Sequence, residues 1–449
     1  MFKPSRLVLL VFAAFMVFGL SFVACGGNDD EGGGGGGGGG KLAVCTGAGC
    51  GETVGVTDTS VKIGTLLPMS NTTATAWGVP LSQGMKAYFE YINDNGGIYG
   101  RKLELVVGDS QYTGPVASET AKKLTEQDKV FAFMGNLGTE AELAVYTYLE
   151  EHGVPDMFIL TGDKTWVDPV VFSRSRFLVD YEVEGRILGK AIGEKYDGKK
   201  LGILAQNDTF GKDGEAGLKL GIEDAGATME TTTQYYDATQ TDVTAQMQRL
   251  KADGAEVIGF YGMPAQASGG IAAARTTLSW DVPFYITGVN AAQIVGALAG
   301  WENIQGTISV SFGHQSNETE VPGVQAYQDI SAKYSPGTQT NSINLTGYSV
   351  AAAMVAVLIQ TGPDLTRTNF LNAAESICKY EGQGTIAPIS MSPTDHAWNE
   401  AEVFVEATGT TADTFSWKPF GEVITQYETT KDCKAPTAPA DADKQPHAK

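Results

Sequence analysis

From Val61 onward the chain alternates short apolar runs with segments of helical period, and it does so twice in tandem. VKIGTLL, LELVVGD, VFAFMG and MFIL have the length and content of strands buried on both faces, which is how parallel strands read. Between them, residues 81–93 carry Met85, Tyr88, Phe89 and Ile92 on one helical face, and residues 116–126 form the next helix. Parallel strands need a crossover of helical length, so this order reads as repeated βαβ and a doubly wound α/β sheet. A second series follows Phe177: a helix over 181–196, the strand KLGILAQ, helices over 212–225 and 241–252, the strand EVIGFY, a helix over 265–278 and the strand PFYIT. Residues 306–310 read as a connecting strand, and 324–333, 347–359 and 367–378 as late helices. Residues 395–427 have the pattern of a hairpin.

Within the first unit, residues 130–142 (VFAFMGNLGTEAE) concentrate the functional signal. A buried strand is followed by a tight Gly-Asn-Leu-Gly turn and then by Thr139 with Glu142 three positions on, the spacing of a capping box that opens a helix. Ligands of open parallel sheets bind beyond the carboxyl ends of the strands, where helix starts present free N–H groups. Thr139 therefore has two readings, a cap for its own helix or an anchor for an anionic ligand.

The totals exclude several classes. A chain of 449 residues with 42% hydrophobic and 18% charged residues has room for two globular units. A formal charge of -21 repels nucleic acid and anionic lipid. The histidines His152, His314, His396 and His447 are scattered, and HExxH, CxxC, GxSxG, GxGxxG and P-loop patterns are all missing, so neither a metal nor a cofactor is expected.

The first 25 residues carry Lys3 and Arg6, an apolar run and then Phe-Val-Ala-Cys, the layout of a secretory leader. The cysteine directly after Val-Ala resembles a bacterial lipoprotein box, in which Cys25 becomes the lipidated first residue. The alternative is an uncleaved spanning anchor; either way the body is tethered outside the cytoplasm. Residues 26–55 are glycine-rich and read as a flexible linker. Cys45, Cys50, Cys378 and Cys433 remain, an even number in an oxidising compartment. Of the three connectivities, Cys45 with Cys50 and Cys378 with Cys433 is the expected one. Residues 434–449 are polar and rich in proline and alanine, and read as a disordered tail.

Small or polar residues with an aromatic recur at the strand-to-helix turns: MSNTTATAWG, GNLGT, LTGDKTW, QNDTFGKDG, FYGMP and ITGVN. Converging on one cleft, they describe a small-molecule site. Across residues 55–427 the chain resembles the branched-chain amino acid type of ABC-transporter solute-binding protein, in the periplasmic-binding-protein type I class. The resemblance is carried by GVTDTSVKIGTLLPMS, NDNGGIYGRKLELVVGDSQY, KLTEQDKVFAFMGNLGT, LTGDKTWVDP, EGRILGKAI, LAQNDTFGKDG and TGYSVAAAMV. It implies two Rossmann-like lobes with parallel sheets joined by three hinge crossings, with residues 56–177 plus 310–388 in lobe 1 and 178–309 plus 389–433 in lobe 2. It also implies closure on a ligand and delivery to permease subunits of the membrane.

The same resemblance assigns a ligand carboxylate to Leu137, Gly138 and Thr139 and to Thr161, Gly162 and Asp163. It assigns cleft-lining roles to Trp77, Tyr181, Phe210, Tyr261 and Asn290. Packing within a lobe is the alternative for the aromatics. Amino-acid binders of this class carry an acidic residue in the turn matching ITGVN, where this chain has Val289 and Asn290. Burying an ammonium without a carboxylate is costly. A carboxylate with an apolar or aromatic tail, or an amide, therefore fits better than an α-amino acid unless Asp163 or Glu182 substitutes. The expected function is ligand capture by a lipid-anchored extracytoplasmic protein without catalysis; the rivals are a ligand sensor of the same fold and a secreted enzyme.

Overall fold

The structure is a computed structural model that describes residues 49–425 and 433–447. The leader, Cys25, most of the glycine-rich linker and Cys45, and with it the Cys45–Cys50 pair, lie outside the described residues. Two sheets organise the rest. The first contains β1 (Ser60–Leu67), β2 (Lys102–Asp109), β3 (Ala132–Met134), β4 (Asp156–Ile159) and β5 (Arg174–Arg176), all parallel in the order β2-β1-β3-β4-β5. The second contains β6 (Lys200–Gln206), β7 (Glu230–Tyr236), β8 (Val257–Tyr261), β9 (Phe284–Ile286), β10 (Ile308–Ser311), β11 (Glu402–Thr408) and β12 (Ser416–Ile424). Its order is β12-β11-β10-β9-β8-β6-β7, parallel from β10 to β7 with an antiparallel β11–β12 hairpin at the edge.

Chain order and sheet membership together give three crossings. The chain leaves the first sheet after β5, returns after β10 to lay helices Pro322–Tyr334 and Ser342–Thr361 on helix Thr75–Asp94, and crosses again before β11. The crossing segments are laced side by side. Arg176 N–H donates to His396 O at 3.0 Å, Trp398 N–H to Arg176 O at 2.9 Å, and Asn399 Nδ2 to Phe312 O at 3.1 Å.

The first unit's helices approach at backbone distance. A Cβ on Gly347 would strike the Leu81 carbonyl, and one on Gly84 would strike the Asn344 carbonyl, so each glycine admits the facing helix. Helix Ser342–Thr361 is also apolar and long enough to cross a bilayer, but most of it is buried in this core. Arg367, buried in the same unit, donates to the carbonyls of Phe131, Gly49 and Val130 at 2.9, 3.0 and 3.0 Å.

Several expectations are corrected. Residues 49–55 belong to the body and not to the leash, because Gly49 serves Arg367 and Glu52 Oε2 accepts from Thr368 N at 2.8 Å. Residues 433–447 run back along the first unit, where Gln445 Oε1 accepts from Tyr99 N at 2.7 Å, and the Cys378–Cys433 disulfide (S–S 2.04 Å) ties this segment down. The helix expected from Leu81 begins at Thr75, which puts Trp77 in its first turn. Strand β7 and helix Gln293–Ala299 were not anticipated.

We expect Gly347→Ala to force the two helices apart and to cost about 1–3 kcal/mol, the usual penalty for overpacking. Urea unfolding monitored by circular dichroism measures it; an unchanged midpoint would contradict the close approach.

Candidate functional site

The carboxyl ends of both sheets face one seam, and the turns read from the sequence meet there. The turn after β3 is held to its neighbours: Leu137 N–H donates to Leu66 O at 3.0 Å, and the Asn136 side chain accepts from Leu66 N at 2.8 Å while donating to Asp156 Oδ1 at 3.0 Å. Leu137 also bridges Leu160, which brings the turns after β3 and β4 together.

Thr139 is not a capping residue. Helix Thr139–Leu143 has Gly138 as its N-cap and no side-chain cap, so the capping-box reading fails. Glu142 turns inward against Asp156, and burial followed by the Asp156 charge pushes its carboxyl well up. The Thr139 hydroxyl, 2% exposed, instead lies 2.5 Å from the Thr161 hydroxyl, and Thr161 in turn hydrogen-bonds the Tyr181 hydroxyl. Three buried hydroxyls thus run from the first unit to the first crossing. Among the described residues no acceptor is paired with the main-chain N–H of Thr139, whereas that of Gly162 donates to the Tyr181 hydroxyl.

Rings cover these turns. A Cβ on Gly138, whose φ is +111°, would sit 2.8 Å from the Tyr112 ring, and one on Gly162 would sit 2.6 Å from the Tyr181 ring. Only glycine therefore lets the aromatics close down on the main chain. The Tyr181 ring lies 4.3 Å from Phe210, and Phe210 lies 6.3 Å edge-on from Tyr261, so the aromatic row continues into the second unit. Tyr112 adds a contact that sequence reasoning missed, a hydrogen bond with Gln206 across the seam. Its signal was GDSQYTG, where Gln111 and Tyr112 both take positive φ.

The other expected residues fall in two groups. Trp77 faces Gly288 and Val289 of the second unit, and its buried Nε1 has no partner among the described residues. Asn290 is fully buried; its Nδ2 donates to Gly262 O at 2.9 Å, joining the turns after β8 and β9, while its Oδ1 has no partner among the described residues. Asp163 caps the short 164–166 turn, accepting from Thr165 N at 2.8 Å. Asp213, from the second unit, faces Asp163, Asp180, Lys164 and Glu182, and burial with the first two charges pushes its carboxyl up to about 6.

An acid does meet the 287–290 turn, from an element the sequence did not single out. A Cβ on Gly288 would lie 2.8 Å from Glu184 Oε2, and the buried Glu184 carboxyl is flanked by Thr287, the Tyr261 hydroxyl and the Glu402 carboxyl. Burial raises both carboxyls, and the facing Glu184 charge and hydrogen bond raise Glu402 further, while the bond with Glu402 draws Glu184 back down. Two carboxyls in one dry site cannot both ionise cheaply. The pair therefore favours sharing one proton and carrying one charge rather than two.

Comparison with known proteins agrees with this architecture. The sequence model of the family described as periplasmic binding protein matches residues 60–412. An amino acid binding protein of Pseudomonas aeruginosa is 26% identical over 212 residues, covering 46% of this chain and 55% of its own length. Leu/Ile/Val-binding protein homolog 1 of Brucella abortus is 21% identical over 207 residues, with the same 46% and 55% coverage. The chain thus spans about 55% of the length of these curated relatives. Among solved structures, a possible leucine/isoleucine/valine-binding protein from Rhodopirellula baltica superposes with TM-score 0.73 at 20% identity, over 81% of this chain and 96% of that one. A branched chain amino acid ABC transporter protein from Thermus thermophilus with bound valine gives 0.73 at 18% identity over 82% and 97%. A fatty acid ABC transporter substrate-binding protein from Thermomonospora curvata gives 0.70 at 21% identity over 83% and 95%. With two wound sheets, three crossings and a family match over most of its length, this chain belongs to the periplasmic binding protein family, in its type I form of the branched-chain amino acid type.

Proposed function

We propose that the chain is the lipid-anchored, extracytoplasmic solute-binding component of an ABC importer. It captures a small carboxylate between its lobes and hands it unchanged to permease subunits. The observation that carries this reading is the run of hydroxyls from Thr139 through Thr161 to Tyr181, which continues as the Phe210 and Tyr261 rings. A carboxylate at the first lobe's turns accepts from the Thr139 N–H and from the threonine hydroxyls, and the carbons next to it meet the rings of the second lobe. Each charged hydrogen bond formed only when the lobes meet favours the closed shape.

The second lobe argues on ligand class. The acid nearest the 287–290 turn is half of the proton-sharing Glu184–Glu402 pair and is hemmed in by Thr287 and the Tyr261 hydroxyl, so it is poorly placed to meet an ammonium. A carboxylate without an α-amino group suits this surface. The ligands named for the structural neighbours span both kinds, valine for one and a fatty acid for another.

Two outcomes check the reading. Thr139→Val removes one hydroxyl donor and should weaken carboxylate binding by about 1.5 kcal/mol, about tenfold in Kd, in a protein that remains folded although Thr161 loses its partner. Isothermal titration with unchanged affinity would remove Thr139 from the anchor. The acid pair is tested by pH. Its carboxyls have raised values in the folded state, so the folded chain binds more protons, and stability is full below the ordinary carboxylate range and falls as pH rises through the raised values. Melting curves at pH 5 and pH 8 should show this fall, and Glu402→Gln should reduce it, leaving the share due to Glu142 and Asp156. An equal fall in the variant would contradict the shared proton.

A further inference from the structure

The seam narrows beside Trp77. Where Trp77 faces Gly288 and Val289, the free space is about 20 Å³, roughly one water. Beside it lies a cavity of about 570 Å³ that opens to solvent. Ala76, Val79 and Pro80 of the first lobe wall one side, and Ile294, Ala297 and Trp301 of the second lobe wall the other. Ala292 and Ile343 border both spaces, so the cavity continues the seam.

We propose that the ligand is a carboxylate with a hydrocarbon tail longer than an amino-acid side chain, and that the tail leaves the seam beside Trp77 to lie in this two-lobed cavity. The proposal rests on the reading of the seam as a carboxylate site and names the class of its ligand. Three observations carry it. The first is order within the first sheet: β1 lies next to β3 and β3 next to β4, so the turn bearing Trp77 adjoins the turns bearing Thr139 and Thr161. A chain anchored at the latter can run outward along the strand ends, past the indole. The second is size and character, since a cavity of about 570 Å³ with mostly apolar walls matches a medium-sized organic ligand rather than a branched aliphatic side chain. The third is that both lobes supply the walls. Apolar surface there leaves water only when the lobes meet around a tail, so tail length feeds directly into closure.

Calorimetry on the full chain with butyrate and octanoate tests the assignment. Octanoate should bind at least tenfold more tightly than butyrate. Ala297 is exposed on helix Gln293–Ala299, so Ala297→Trp fills the cavity without entering a core, and it should cost octanoate at least fivefold more than butyrate. Thr139→Val should weaken both acids by the same factor. Equal affinities of the two acids, with no selective effect of Ala297→Trp, would overturn the tail assignment while leaving the carboxylate reading intact. Binding of neither acid, together with binding of valine, would overturn both.

Discussion

Everything in this molecule depends on three crossing segments that hydrogen-bond to one another between the sheets. Arg176, His396, Trp398, Phe312 and Asn399 share main-chain and side-chain bonds that hold the crossings parallel. His396 adds a contact to Arg174 O at 2.7 Å and to Glu375, both buried. A chain that crosses once can swing freely, whereas three laced crossings leave bending about their common line as the soft motion. The carboxyl ends of both sheets must then open and close on each other, and that is where the threonine hydroxyls, the aromatic row and the glycine turns lie.

Closure is costly for the groups that line the seam, and the structure meets the cost with local pairing. Hydroxyls are bonded to hydroxyls, Asn290 reaches Gly262, and in each of the two carboxyl pairs, Glu142 with Asp156 and Glu184 with Glu402, burial raises both acids and so favours one shared proton. Among the groups left without a hydrogen-bond partner, two flank the narrow part of the seam. Trp77 Nε1 and Asn290 Oδ1 are buried without partners among the described residues, one on each side of the seam. A buried donor and a buried acceptor left unmade cost about 1–3 kcal/mol each, so a guest able to bond either contributes to holding the lobes together.

Much of this was legible in the sequence because the strongest signals are local. Apolar runs such as VFAFMG and KLGILAQ announce buried parallel strands, and turn motifs such as GNLGT mark the strand ends where sites form. What escaped was non-local or lacked the usual pattern. Strand β7, ETTTQYY, is rich in threonine at the sheet edge and mostly not buried, so it has no apolar run to read. Thr139 and Glu142 have the spacing of a capping box, yet tertiary partners 22 and 14 residues away from them, Thr161 and Asp156, claim both side chains. Glu184 is the clearest case. Its helix was read correctly, but its meeting with Gly288 and Glu402 joins three elements that no spacing rule connects. An acid thus reaches the ITGVN turn from elsewhere in the fold, with its carboxyl raised by burial.

The central claim is that both halves grip one ligand. Hydrogen–deuterium exchange of the full chain, with and without a saturating carboxylate, reads this directly. The account predicts added protection at residues 135–139 and 160–163 of the first lobe together with 206–211, 261–264 and 286–290 of the second. Protection confined to one lobe would contradict it.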